Sequence, residues 1–266
     1  MKNKDDLKKL LDLLYLEHNT AAFIPNDPVK FPRGYKNRLD REVAAFLAAT
    51  IAWGRRDMIL KSAEKMFAIM GASPYAFVME GDYQKLKTGR VTGLSIHRTF
   101  FQEDLVYFCR GLKACYAEYG SLENLFASTG DVWDGIDLFR QTMAAGNFHS
   151  ADSGAALEPL YSKHIAGHLT GSACKRLNLA LRWLVRREGP VDLGQWKKIS
   201  PASLFIPLDV HVGRTARHLG LLDRNANDKK AVIALTEKLK TFCAEDPIKY
   251  DFALFGYSLT RGLSLY

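Results

Sequence analysis

Residues 167–220 have the sequence GHLTGSACKRLNLALRWLVRREGPVDLGQWKKISPASLFIPLDVHVGRTARHLG, and the prediction of the fold starts from this stretch. A helix is expected to end near His168, and the small and polar residues of Leu169–Ala173 indicate a tight turn after it. A second helix is expected to follow, because apolar residues then recur at helical spacing. These residues are Leu177, Ala180, Leu181, Leu184 and Val185.

The opposite face of this second helix carries Lys175, Arg182 and Arg186. The turn before the helix would present backbone N–H groups at a helix N-terminus, where the unsatisfied donors and the helix dipole both favour a phosphate. Two interpretations fit the cationic residues. They form either a basic stripe that continues from a phosphate-binding turn or the solvated side of an ordinary core helix.

The second informative segment is Ile206–Arg214. Asp209 is placed to cap a helix that continues to about Leu219, where Gly220 provides a helix end. The same carboxylate follows an apolar run, so it is also a candidate for an acid at the wall of a cleft. The sequence leaves both roles open for Asp209.

Three basic or titratable residues follow Asp209 on the same predicted helix. His211 is a candidate phosphate contact or a structural residue at the helix start. Arg214 and Arg217 lie on the polar side of the helix, where they are available to an anion.

Helical periodicity extends over nearly the whole chain, and no run of alternating residues is long enough to indicate a sheet. The N-terminus is expected to form an amphipathic surface helix. Other helices are expected at 40–53, 57–70, 99–118, 121–127, 131–144, 154–168, 172–187, 209–219, 228–243 and 247–259. The sequence therefore predicts an all-α protein.

Composition limits the partners of this chain. Its 266 residues are 47% hydrophobic, which supports a folded core, and its net charge of +8 fits a polyanionic partner or an ordinary basic protein. No apolar run is long enough to span a bilayer, and charges interrupt the N-terminal segment where a signal peptide would be apolar. We therefore expect a cytoplasmic protein that does not contact a membrane. We also expect a monomer.

The four cysteines, at positions 109, 115, 174 and 243, have no zinc or iron–sulfur spacing, and we expect reduced thiols without a metal or cofactor. His164 and His168 are four residues apart, so on one helix they would share a face and could bind a metal. The residues between them, Ile165–Gly167, include no acid, and a metal-dependent hydrolase is the weaker alternative.

The two segments also resemble known motifs. Leu169–Lys175 resembles the L-P-G-V-G-x-K hairpin of the helix-hairpin-helix DNA glycosylase superfamily, and Leu208–Arg214 resembles its V-D-T-H-V-x-R segment. Phe46–Thr50 is similar to the L-S-Q-Q-T helix that opens the glycosylase core. Asp246–Asp251 is similar to the last helix of the archaeal 8-oxoguanine glycosylases. The chain as a whole further resembles an uncharacterised bacterial family within this superfamily.

The resemblance implies a DNA repair glycosylase that removes a damaged base such as an oxidised purine from duplex DNA. It leaves open whether the enzyme also has AP lyase activity. It implies two lobes, 41–190 and 1–40 plus 191–266, that form one structural unit with a cleft for a flipped nucleotide. It makes Lys175 the nucleophile and Asp209 the catalytic acid residue, without a cofactor. The expected DNA contacts are Leu169, Thr170, Gly171, Ser172, Ala173, Arg182, Arg186, His211 and Arg214.

Two departures from the family pattern keep a non-catalytic alternative open. Thr170 and Ala173 replace the proline and the second glycine of the hairpin, and Ala48 and Ala49 replace the two glutamines of the opening helix. A nucleic-acid-binding module that kept the fold and lost the chemistry would also fit these changes. The presence of both Lys175 and Asp209 favours the enzyme.

Overall fold

The computed structural model describes residues 3–86, 94–147 and 159–260, and most of these residues are helical. The prediction of an all-α protein is confirmed. The α-helices are α1 (Lys4–His18), α2 (Lys30–Arg33), α3 (Arg38–Thr50), α4 (Arg56–Met70), α5 (Pro74–Glu80), α6 (Gln102–Tyr119), α7 (Leu122–Ala127), α8 (Val132–Ala145), α9 (Lys175–Val185), α10 (Val210–His218), α11 (Lys229–Lys240) and α12 (Tyr250–Thr260).

Short 3₁₀ turns and one small hairpin complete the described secondary structure. The 3₁₀ turns are Ala21–Asn26, Asp82–Lys85, His168–Thr170, Pro201–Ser203 and Pro247–Lys249. The strands β1 (Ser95–His97) and β2 (Phe100–Phe101) pair antiparallel. The sequence did not predict this pair, because strands of two and three residues are too short to show an alternating pattern. None of the described helices is long and apolar enough to cross a membrane.

The chain divides into two compact units. One consists of Met1–Pro25 with His168–Tyr266, and the other is the continuous segment Asn26–Gly167. This division differs from the expected lobes, because residues 168–190 group with the two chain ends and residues 26–40 group with the central segment. Both informative segments of the sequence, the hairpin and the segment around Asp209, therefore belong to the same unit.

The discontinuous unit is held by contacts between sequence-distant helices. Helix α1 packs against α12 and buries Leu7, Leu11 and Leu14. The Tyr250 hydroxyl donates to an Asp12 carboxylate oxygen at 2.9 Å, which adds a polar contact between the same two helices. The predicted N-terminal amphipathic helix is thus present, and its apolar face is fixed by the last described helix.

The central unit is built around α3, in which every residue from Glu42 to Thr50 is buried. The Phe46 ring lies 4.9 Å from Phe139 and 5.8 Å from Phe126, centroid to centroid, which joins α3 to α8 and α7. Ala48 and Ala49 lie in this core and are fully buried. Small residues at these positions let neighbouring helices approach α3 closely.

Two expectations for the central unit are corrected. The predicted N-cap Asp40 lies inside α3, which begins at Arg38 and is capped by the Asn37 side chain. Asp40 instead accepts hydrogen bonds from the Ser73 hydroxyl and the Tyr75 amide, at the start of α5. The helix expected at 154–168 is absent from 159–167, which forms turns, and its first residues lie outside the described part of the chain.

Asn37 caps a helix and Asp40 accepts two hydrogen bonds, so substitutions of these two residues should lower stability by different amounts. Asn37→Ala removes one helix cap and should lower the free energy of unfolding by about 1 kcal/mol. Asp40→Ala should cost more, about 2–3 kcal/mol, because it leaves two half-buried donors without their acceptor. Urea unfolding of both variants measures the difference, and equal losses would contradict the assigned roles.

Candidate active site

The hairpin segment forms a real turn before α9. His168–Thr170 is a 3₁₀ turn, Gly171 follows with φ of +83°, and α9 begins at Lys175. Only glycine adopts this left-handed conformation without strain, so the sequence signal at Gly171 has a clear backbone cause. A helix before the turn is not found within 159–167, so the described residues show a turn followed by one helix.

The residues of the turn differ in their access to solvent. Leu169 is 74% exposed, and Thr170 and Gly171 are exposed with it. Ser172 is half-buried and its hydroxyl accepts the Cys174 amide, whereas Ala173 is buried. The tip at Leu169–Gly171 is therefore the part of the predicted contact surface that a partner can reach.

Cys174 links the turn to the helix through an unusual backbone conformation. Its φ is +46°, which is uncommon for a residue with a side chain, and its thiol is buried. The Asn178 side-chain Nδ2 group donates to the Ala173 carbonyl at 3.1 Å and ties the first turn of α9 back to the hairpin. These contacts fix where α9 starts and hence where Lys175 lies.

Asp209 performs the capping role that its sequence position predicts. Its Oδ1 accepts the His211 and Val212 amides, both at 2.9 Å, and α10 begins at the next residue. A carboxylate at a helix N-terminus is favoured by the orphan donors and by the helix dipole. The cap holds one carboxylate oxygen in a defined direction.

The second oxygen of Asp209 faces Lys175. Lys175 Nζ lies 3.7 Å from Asp209 Oδ2, and the two side chains are 27% and 24% exposed. The residues are 34 positions apart in the sequence, yet both belong to the discontinuous unit. The structure therefore confirms the capping role of Asp209, and its other oxygen faces an amine.

His211 and Arg214 are less accessible than expected. His211 is half-buried, its Nδ1 is 3.2 Å from the Ser258 hydroxyl, and its ring meets the Phe255 ring edge-on at 6.1 Å. These contacts give His211 a structural role between α10 and α12. Arg214 is half-buried on α10.

The predicted cationic stripe on α9 is wrong. Arg182 and Arg186 are 4% and 0% exposed, so neither guanidinium is available to a DNA phosphate. Arg182 pairs with Asp192 and Asp251, and Arg186 pairs with Asp192 and Asp246. We call these five residues the ion network. Asp246 and Asp251 lie at least 60 positions from the arginines that they pair with, and Asp192 lies beyond the end of α9. Helical spacing alone therefore could not distinguish buried, paired arginines from a solvated basic face.

The ion network contains three carboxylates for two guanidinium groups. Among the three carboxylates, Asp251 is the one whose pKa is raised. Burial raises the pKa of Asp251 to about 6, the negative charge of Asp209 acts in the same direction, and Arg182 and Lys175 oppose the increase. The charges of Asp209 and Lys175 in the candidate site therefore influence the pKa of the buried Asp251.

A segment that the sequence did not single out joins the two halves of the site. We call Arg224–Lys229 the strap. Its Asn227 side chain donates to the Asp209 carbonyl at 3.1 Å, and its Lys229 amide donates to the Gly171 carbonyl at 2.9 Å. The only sequence signal here was the helix start at 228, which Asp228 confirms by accepting the Ala231 amide.

The histidines of the metal alternative do not share a helix. His164 lies in a turn of the central unit, with Nε2 3.2 Å from the Thr99 carbonyl and 3.4 Å from Asp104. His168 begins the 3₁₀ turn of the other unit, with Nδ1 2.8 Å from Lys229 Nζ. Among the described residues, no group of three or more His, Cys, Asp or Glu side chains could hold a metal ion.

The raised pKa of Asp251 predicts a pH-dependent stability difference. Between about pH 4 and pH 6 the folded protein keeps a proton on Asp251 that the unfolded chain has lost, so this group makes the fold less stable as the pH rises. Asp251→Asn cannot ionise and should remove this component. Urea unfolding at several pH values should show the stability of wild type relative to Asp251→Asn falling from pH 4 to pH 7. A constant difference would contradict the assignment.

A family model described as "Protein of unknown function (DUF2400)" matches residues 27–260, a range that includes Lys175, Asp209 and the strap. No curated protein and no solved structure matches the chain. The family model spans most of the 266 residues. The chain therefore belongs to the DUF2400 family.

Proposed function

We propose that this protein is a DNA glycosylase of the helix-hairpin-helix type with an AP lyase step, acting on a damaged base in duplex DNA. The observation that carries the proposal is the 3.7 Å approach of Lys175 Nζ to Asp209 Oδ2 at the partly exposed ends of α9 and α10. An amine and a carboxylate at this distance supply a nucleophile and a group that accepts its proton.

The surroundings of the pair fit this chemistry. Both side chains are about three-quarters buried, which strengthens their electrostatic interaction while leaving each reachable from solvent. The cap at α10 holds Asp209, so its free oxygen is preorganised and does not need to reorient during reaction. Lys175 occupies the first helical position of α9, four residues after Gly171 of the exposed hairpin tip.

The proposed reaction needs no metal or organic cofactor. The damaged nucleotide leaves the base stack, and the neutral Lys175 amine attacks C1′. The new N–C1′ bond forms as the glycosidic bond breaks, and the base departs with the bonding electrons and takes up a proton. Asp209 accepts the lysine proton or stabilises positive charge on the sugar. Opening of the C1′–O4′ bond gives a Schiff base, and loss of a C2′ proton then expels the 3′-phosphate.

Binding to the DNA backbone is assigned to the hairpin tip, Leu169–Gly171, where exposed chain precedes the α9 N-terminus. The net charge of +8 favours association with a polyanion in general. Arg182 and Arg186 have no part in this proposal, because the ion network holds them in the interior.

A binding module without catalysis is the second candidate, favoured by Thr170 and Ala173 in place of the hairpin proline and second glycine. Burial of Arg182 and Arg186 makes it less attractive, because it removes the basic surface that such a module would use. The two candidates differ in one observable, which is a covalent bond between Lys175 and DNA.

Borohydride trapping on duplex DNA with an abasic site tests the proposed enzyme. Wild type should form a covalent adduct and Lys175→Gln should form none, because the amine is the attacking group. Asp209→Asn should slow adduct formation by roughly 100-fold while keeping the helix cap, since asparagine also caps helices. Lys9→Gln, at an exposed lysine of α1, is the matched control and should react like wild type. Binding by the wild-type protein without an adduct would support the module instead.

Gly171 provides a separate test of the hairpin. A methyl group added at this position would have no neighbouring heavy atom within 4 Å, but the φ of +83° makes alanine strained there. Gly171→Ala should distort the tip and weaken DNA binding about tenfold, the effect of roughly 1.4 kcal/mol. Gly71→Ala is the matched control, because Gly71 has φ of +72° and equally open surroundings. Equal affinities of the two variants in a gel-shift assay would argue against the hairpin as the contact.

A further inference from the structure

The strap contacts the hairpin through backbone and side chain. The Lys229 amide donates to the Gly171 carbonyl at 2.9 Å, and Ser172 and Asp228 form an antiparallel bridge. Lys229 Nζ also lies 2.8 Å from His168 Nδ1, so the ammonium group donates to the buried imidazole. These contacts fix the hairpin on one side of Lys175.

The strap contacts the start of α10 through Asn227. The Asn227 Nδ2 group donates to the Asp209 carbonyl, which also accepts the Gly213 amide at 2.9 Å within the helix. The guanidinium group of Arg217 donates to Asn227 Oδ1 and to the Arg224 carbonyl. The side-chain amide of Asn227 is therefore hydrogen-bonded to the Asp209 carbonyl at the start of α10 and to the Arg217 side chain near its end.

The Lys175–Asp209 pair cannot set its own geometry. A partly exposed ion pair contributes little net stability, and 34 residues of chain separate the two side chains. Their separation instead depends on how the hairpin is held relative to α10. The strap bonds to both within three consecutive residues, Asn227–Lys229, which makes it the short physical link between them.

Gly213 shows how closely Asn227 approaches α10. A Cβ at Gly213 would lie 2.5 Å from Asn227 Oδ1 and 2.9 Å from Arg217 Nη1, so even a methyl group would displace the Asn227 amide. Glycine is unfavourable inside a helix, and this close approach gives it a reason to be there.

We propose that Asn227 is a positioning residue, which holds Asp209 at the distance from the hairpin that the reaction of Lys175 requires. This inference rests on the proposed function for its chemical consequence. Asn227 touches neither the amine nor the carboxylate, and it acts through the Asp209 backbone. Small displacements of reacting groups reduce rates strongly, whereas they leave distant binding contacts intact.

Single-turnover kinetics with abasic duplex DNA separate positioning from binding. Asn227→Ala should lower the rate of borohydride-trapped adduct formation about tenfold or more and leave the Kd for the duplex within about twofold. Asn225→Ala, at an exposed residue of the same strap, is the matched control and should change neither quantity. Equal rates for the two variants would overturn the proposal.

Gly213→Ala provides an independent perturbation of the same contact. Alanine improves the helix propensity of α10, which offsets part of the stability lost with the Asn227 contact, and the adduct rate should drop because the methyl group displaces Asn227. In the double variant Asn227→Ala/Gly213→Ala, the methyl group meets no amide. Its rate should therefore equal that of Asn227→Ala alone. Additive losses would show that the two residues act separately and would contradict the proposal.

Hydrogen exchange tests the strap without relying on catalysis. Amides of residues 169–175 and 210–213 should exchange faster in Asn227→Ala than in Asn225→Ala, because the hairpin and α10 lose their common attachment. If wild type forms no adduct, the proposed function fails, but faster exchange would still support the strap as the link. Unchanged exchange in Asn227→Ala would overturn the inference whatever the activity.

Discussion

Burial of Arg182 in α9 and of Arg186 at its C-cap is the constraint on which the discontinuous unit depends. A guanidinium group removed from water must be paired and hydrogen-bonded, because an uncompensated charge in the interior costs several kcal/mol. The ion network meets this requirement with carboxylates from the segment after α9 and from the start of α12. The arginines thus fix the helix that carries Lys175 against the helix that supports α10, since α10 packs on α12.

The candidate site lies at the partly exposed end of this arrangement. Lys175 and Arg182 are two turns apart on the same helix, so the orientation of α9 that buries Arg182 also directs Lys175 toward Asp209. The helix cap orients the Asp209 carboxylate, the strap holds the Asp209 backbone and the hairpin, and the ion network orients the helix that carries Lys175. The stability of the unit and the geometry of the pair are therefore coupled through α9, so substitutions in the interior should shift the pair through the orientation of this helix.

The sequence predicted the local features of the site well. The turn at Gly171, the helix after it and the cap at Asp209 all follow from backbone propensities that act over a few residues. The burial of Arg182 and the role of Asn227 could not be predicted this way, because both depend on partners in other segments of the chain, 10 to 69 positions away. An amide in a polar loop has no periodicity that distinguishes a structural link from a solvated side chain. The division into units was missed for the same reason, since it depends on which distant segments pack together.

Helix α1 and helix α12 lie at opposite ends of the described chain and pack on each other. During synthesis on the ribosome, α1 emerges more than 200 residues before the helix that covers Leu7, Leu11 and Leu14. The central segment 26–167 is continuous and can collapse while the remainder is still being translated. The unit with Lys175 and Asp209 can therefore complete its folding only after the central segment has been synthesised. Until α12 is available, the apolar leucine face of α1 is not covered by its partner helix.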